Sequence, residues 1–223
     1  MVSNDSFLSR LLPGLLVAAA IFAAWWLFIR AGDQPSVPQQ APGVLDAPSS
    51  VGPLLLQASQ VGPEYDQNAD STRATTSLEI RTGQRPAATR TIAHTWKAGA
   101  RAGWSQVHGS ITVLSRAELF TGAGLSAVSA GFKRQMVSAY HGKPATAPGS
   151  LPGQGGWLIQ GTTVSQIFST LYPPRRQVAV YGWQHGDVLA MVVVTGLPRD
   201  GVLQAVTTLA NAQDKNIAFV TGG

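Results

Sequence analysis

Two runs decide the fold: Val178-Ala179-Val180-Tyr181 and Val188-Leu189-Ala190-Met191-Val192-Val193-Val194, joined through His185-Gly186. β-Branched and aromatic residues dominate both, as strands favour. Glycine takes positive φ without steric cost and histidine tolerates it, so a two-residue hairpin loop is predicted at His185-Gly186. The second run is apolar at every position rather than at alternate ones. Such a strand needs cover on both faces, or a place in the middle of a sheet. Asp200 then caps a closing helix, on which Val202, Val206, Leu209, Gln213 and Ile217 form one stripe.

Upstream, Leu125, Val128, Phe132, Met136 and Tyr140 form a second stripe, opposite Ser126, Ser129, Lys133 and Arg134. They predict a helix over roughly 117–140. A Gly/Pro-rich loop over 141–156 leads to a short strand at Trp157-Leu158-Ile159. Val164, Ile167, Phe168 and Leu171 fit a brief helix stopped by Pro173-Pro174, with an extended segment as the alternative. Leu54-Leu55-Leu56-Gln57-Ala58-Ser59-Gln60 reads as one or two helical turns that dock the start of the domain. Leu78 and Ile80, alternating with Glu79 and Arg81, suggest a half-buried strand. Ile92, Trp96 and Ala100 recur every four residues and suggest a helix over 89–101. Two strands follow, 104–107 and 111–114, turned at Gly109-Ser110. Hairpins with helices between and after them mean an α+β domain: a mainly antiparallel sheet with helices packed on it.

Ahead of this domain, Leu11 to Ile29 is a 19-residue run without charge, bracketed by Arg10 and Arg30. As a helix it spans roughly 28 Å, close to the thickness of a bilayer's hydrocarbon core. Trp25 and Trp26 stand at its far end, where amphipathic rings favour the headgroup level. Gly14 with Ala18 places small residues four apart, as close helix packing in lipid uses; the plain abundance of alanine in apolar spans competes. A cleaved signal peptide, cut near Ala18-Ala19-Ala20, is the rival reading. The expected organisation is a tail at 1–10, a transmembrane signal-anchor at 11–30, a stalk at 31–53 with five prolines, and a domain at 54–223. The slight excess of positive charge before the span points to a cytoplasmic N-terminus and an extracytoplasmic, membrane-anchored domain.

Composition narrows the function classes. Of 223 residues only 12% are charged, about half the usual ~25%, which excludes a coiled coil and a charge-rich disordered chain. The absence of cysteine removes disulfide scaffolds, thiol nucleophiles, cysteine-ligated metals and a lipidated cysteine.

The path from Val178 to Ile217 runs strand, tight turn, apolar strand, Thr195-Gly196 and helix. With Leu54-Leu55-Leu56-Gln57-Ala58-Ser59 at the front, it resembles uncharacterised secreted or membrane-anchored bacterial domains similar to PsbP-like and LpqN-like α+β sandwiches. The resemblance implies an extracytoplasmic accessory or binding role and supplies no catalytic motif.

Residue by residue, enzyme signatures are missing. Pro144 spoils Gly142-Lys143 as a phosphate loop, and Gly124-Leu125-Ser126 continues as Ala127-Val128 rather than as a nucleophile elbow. His94, His108, His141 and His185 lack metal-ligand spacing, and His185 is accounted for by its turn. No cofactor is expected. Asp66, Asn68 and Asp70, with Glu64, resemble the start of a calcium loop, but Ser71 stands at the turn glycine and Ser77 at the bidentate acid; a polar turn competes. Arg73, Arg81, Arg85, Arg90, Lys97 and Arg101 share a stretch with one acid, Glu79, and suit an anionic headgroup or acidic partner; a solvated face competes. Trp157, Tyr181, Trp183 and Met191 are either core or the lining of an apolar pocket for a lipid-like ligand. The leading expectation is a non-catalytic accessory subunit beside other integral membrane proteins, in a respiratory or photosynthetic assembly by analogy. A membrane-tethered module for an apolar ligand is second, and nucleic acid is not an expected partner.

Overall fold

The structure is a computed structural model, which describes residues 51–106, 111–164 and 175–222. All of them belong to one unit, Val44–Gly223. The expected anchor and almost all of the expected stalk lie outside the described residues, as do the turn at Gly109-Ser110 and the segment Ile167–Leu171. Among the described residues no helix is long and apolar enough to cross a membrane.

The elements run in the order α1 (Ala58–Val61), β1 (Tyr65–Ala74), α2 (Ser77–Arg81), α3 (Pro86–Thr95), β2 (Trp96–Gln106), β3 (Thr112–Phe120), α4 (Leu125–Tyr140), β4 (Lys143–Pro144), β5 (Gln154–Val164), β6 (Arg175–His185), β7 (Val188–Thr195) and α5 (Arg199–Thr221), after a 3₁₀ turn at Gly52–Leu54. Seven strands form one sheet, β1-β2-β3-β7-β6-β5-β4, with every pairing antiparallel. The α+β expectation therefore holds. The all-apolar strand β7 is the fourth of seven, and both its faces are covered. Val188, Ala190, Val192 and Val194 meet α5, whereas Leu189, Met191 and Val193 meet the layer of α2, α3 and α4. Its neighbour β6 leads into it through a loop of Gly186 and Asp187, since His185 pairs with Val188. Gly186, at φ +54°, takes the first loop position, so the expected turn moves by one residue.

On the α5 side the expected stripe is complete: Val202, Val206, Leu209, Gln213 and Ile217 are all buried. Asp200 lies in the first turn of α5, and Pro198 is the N-cap. Gln213 is the polar member. Its Oε1 accepts the Ser115 hydroxyl (2.9 Å), its Nε2 donates to the Arg116 carbonyl (3.0 Å), and Ser115 Oγ accepts the Leu56 N–H (3.1 Å). A buried amide and hydroxyl thus satisfy each other while tying helix, sheet and N-terminal segment together. Val51, Leu54, Leu55 and Leu56 are buried in the same layer. Val51, assigned to the stalk, is therefore part of the core, whereas Pro53 is exposed.

Three expected elements differ. Leu78 and Ile80 lie on helix α2, not on a strand. Thr76 Oγ1 accepts the Glu79 N–H (3.2 Å) while Glu79 Oε2 accepts the Thr76 N–H (3.1 Å), a capping box that starts a helix too short to show its own period. Trp96–Arg101 is not helical: α3 stops at Thr95 and the chain turns directly into β2. Ala117–Phe120 close β3, so α4 starts at Leu125. Thr76→Ala is expected to cost about 1 kcal/mol of domain stability, measured by urea denaturation, because the Glu79 N–H in the first turn of α2 loses its acceptor.

Candidate functional site

Strand alternation sets what each side chain of the sheet can meet. Tyr181 and Trp183 face the α5 layer, whereas Trp157 and Met191 face the α4 layer. The four expected pocket residues are therefore divided by the sheet itself, and all are packed. Trp183 is fully buried. It stacks on Tyr181 at 5.2 Å between ring centroids and donates its indole N–H to Asp214 Oδ1 at 2.8 Å. Tyr181 donates to the Pro152 carbonyl (2.6 Å), and burial, with the Asp214 charge, pushes its hydroxyl up to about 12. Trp157 donates to Ser129 Oγ (3.0 Å). The void beside Trp157 and Met191 measures about 10 Å³, at the lower bound for one water. The apolar pocket is overturned: these tryptophans are core.

That void is rimmed by a buried ion pair that sequence reasoning missed. Glu118 is 1% exposed on β3, and it accepts from Arg116 Nε (2.6 Å) and from the Trp96 indole N–H (2.9 Å). Burial raises its carboxyl above the usual range, against the opposing pull of Arg116 and the hydrogen bond from Trp96. Arg116 also lies over the Phe132 ring, 4.8 Å from its centroid. Glycine 99 makes the arrangement fit. It faces Glu118 across the β2–β3 ladder, and a Cβ there would come within 1.6 Å of Glu118 Oε2.

Of the expected basic group, Arg73 and Arg101 face each other across the β1–β2 ladder. Arg73 pairs with Glu79, and Arg101, half-buried in β2, is held below its ordinary value by burial, Arg73 and Arg116. Arg81, Arg85 and Arg90 stand exposed around α2 and α3, and Lys97 occupies the irregularity in β2. The calcium reading is overturned as a loop. Asp66 and Asn68 lie on β1 and pair with Ser105 and Gly103 of β2, whereas Asp70 falls in the irregularity of β1 between Asn68 and Arg73. Asn68 Oδ1 is used by the Asp70 N–H (3.0 Å), and among the described residues no three His, Cys, Asp or Glu side chains gather to hold a cation. Glu64 precedes β1 in the chain and lies against Gly62. The proposed anchor residues Gly14, Ala18, Trp25 and Trp26 lie outside the described residues.

His185 does more than fill a turn. Its Nδ1 lies 2.8 Å from Asp214 Oδ1, the oxygen that also accepts Trp183. A carboxylate offers only acceptors, so Nδ1 carries the proton. A hydrolytic triad needs a nucleophile next, and among the described residues no serine or threonine hydroxyl bonds to this histidine.

What remains is an open cleft of about 370 Å³ at the other end of the α5 layer, lined by His141, Lys143, Pro144, Gln160, Gly161, Thr162, Gln177 and Arg199. Its origin is local. Leu158 and Ala179 lie in the apolar layer beneath α5 and its flanking segment, and the same faces of β5 and β6 continue as Gln160, Thr162 and Gln177, with Thr162 paired to Gln177. The change from apolar to polar marks where the helix stops covering the sheet. Tyr140 ends α4, and His141 leaves it in the left-handed region at φ +49°. The turn presses on Gly161, where a Cβ would meet the Tyr140 carbonyl at 2.3 Å. Arg199 is fixed across the gap: its Nε–H donates to Gln160 Oε1 (3.2 Å), and Gln160 Nε2 donates to the Arg199 carbonyl (3.0 Å).

No protein-family model matches this chain, and no curated protein matches it. Among solved structures, it is similar to the extracellular domain of PknH from Mycobacterium tuberculosis, at 14% sequence identity over 78% of this chain and 95% of that chain, with a TM-score of 0.47. The PsbP-like and LpqN-like resemblance is not carried by these matches.

Proposed function

We propose that this chain is a non-catalytic, membrane-tethered interaction subunit, with a cytoplasmic N-terminus, a single span over 11–30 and an extracytoplasmic domain that docks on other integral membrane subunits. The observation that carries this reading is the burial of Trp157, Tyr181, Trp183 and Met191, which leaves the expected apolar pocket filled by its own side chains. The void beside the expected pocket residues Trp157 and Met191 is about 10 Å³, where a ligand site usually needs several hundred Å³, so recognition at these aromatics is disfavoured and the outer surface is left to carry it. The uncharged run from Leu11 to Ile29 supplies the tether.

Two measurements test it. Extracted from its own membranes in mild detergent, the full chain is expected to migrate in a species larger than the detergent-bound monomer; a lone monomer under every mild condition overturns the subunit reading. Orientation has a clean probe because the chain contains no cysteine. Thr146→Cys, at an exposed position, is expected to react with a membrane-impermeant maleimide in intact cells, and labelling only after lysis reverses the topology.

A further inference from the structure

The cleft at the N-terminal end of α5 combines a concave shape with a purely basic charged lining. Lys143 and Arg199 line it together with His141, and no carboxylate does. Among the described residues none of these three pairs with an acid. The other lining groups are two amides, a hydroxyl and backbone. Each end of the cationic pair is set by the fold. The Gln160 amide grips Arg199 from both sides, through its Nε–H and its carbonyl. Lys143 is fixed on the β4–β5 ladder, where it pairs with Gln160. A guanidinium held in place and a lysine ammonium, opening on amide and hydroxyl groups, make a combination suited to an oxyanion carried on a polar body.

We infer that this cleft binds a phosphate-bearing polar molecule, with Lys143 and Arg199 on the phosphoryl oxygens and Gln160, Thr162 and Gln177 toward its hydroxyl-bearing part. The space of about 370 Å³ suits a ligand of headgroup size. Such a phosphate exists both free in solution and as a phospholipid headgroup, and a membrane-tethered domain meets the second continuously. The docking reading does not depend on this cleft, so failure of the cleft to bind phosphate leaves that reading standing.

The test uses the full chain in neutral detergent and four probes followed by calorimetry: inorganic phosphate, glycerol 3-phosphate, dihexanoyl phosphatidylglycerol, and glycerol as the uncharged control. Saturable binding of a phosphate-bearing probe is expected, with none for glycerol. The double variant Lys143→Gln/Arg199→Gln is expected to weaken it by about tenfold or more with unchanged thermal unfolding, both residues being exposed. The charge-matched variant Arg85→Gln/Arg90→Gln, on exposed residues outside the cleft, is expected to bind as the parent does. Glycerol 3-phosphate binding as tightly as the lipid assigns the site to a free phosphate ester; binding of the lipid alone assigns it to a headgroup. Absence of saturation with all three phosphates, or equal weakening by both double variants, overturns the proposal, because the first leaves no site and the second reduces it to diffuse charge.

Discussion

Glu118→Ala is expected to destabilise the domain by about 3–5 kcal/mol, because it leaves a buried guanidinium without its counter-charge. The loss has two parts that act together. Arg116 forfeits the acceptor of its Nε–H, and the Trp96 indole N–H loses its partner. The adjoining void is lined by the apolar Phe132, Leu189 and Met191. Urea denaturation followed by tryptophan fluorescence reads the effect; a loss below about 1 kcal/mol would mean that the pair is surface-like in strength. Gly99 supplies an independent check. Gly99→Ala drives a Cβ into the carboxylate and is costly alone, but in the Glu118→Ala background the obstacle is gone. The two losses should therefore be strongly non-additive.

The same residue gives the stability a pH dependence whose sign is fixed. Burial raises the Glu118 carboxyl in the folded state, so the native protein binds its proton more tightly than the unfolded chain does. The contribution is fully present below the unfolded carboxylate pKa, about 4.3, and is lost as pH rises through the raised folded value. Glu118→Gln retains an oxygen for Trp96 or Arg116 and cannot ionise. Relative to this variant, the parent should lose stability as pH climbs out of the acid range; parallel curves would show that the folded carboxyl is not raised.

What could be read from the chain depended on how far each signal reached. The β6–β7 hairpin and α5 were legible because their patterns extend over many residues: seven consecutive apolar positions in β7, and a stripe of five on α5. The short α2 was misread because Leu78 and Ile80 are two apart, a spacing that one helical turn and a strand share. The deciding signal was Thr76 with Glu79, which makes a capping box and says nothing about apolar period. Ile92, Trp96 and Ala100 kept a four-residue rhythm across the α3–β2 junction by coincidence: Trp96 turns to Glu118 and Ala100 to the α5 layer. No local signal marked Glu118 as buried, since its place is made by a glycine 19 residues earlier and by a tryptophan 22 residues earlier. The cleft had a legible cue in Leu158, Gln160 and Thr162, where one strand face turns polar. Its cations come from two other elements, and only the folded chain joins them.

Trp183→Ala is expected to cost about 3–5 kcal/mol, the range for emptying a buried aromatic site, and its rescue separates a packed core from a pocket. The indole is fully enclosed, stacked on Tyr181 and bonded to Asp214, which also holds His185. Truncation removes the apolar contacts and one of the two donors on Asp214 Oδ1. The space left has the shape of indole and retains the acceptor for its N–H. Free indole should therefore raise the unfolding temperature of the variant in proportion to the logarithm of its concentration once above its dissociation constant. The parent protein, whose site is already filled by its own side chain, should show no such shift. Trp183→Phe should fall between the two, since it restores much of the packing but not the donor to Asp214. A parent protein stabilised by indole to the same degree as the variant would mean that space beside these aromatics is already open, and would return the apolar-ligand reading to consideration. Stabilisation of the variant alone would establish that this layer of the domain is filled by its own sequence, leaving recognition to the polar cleft and the outer surface.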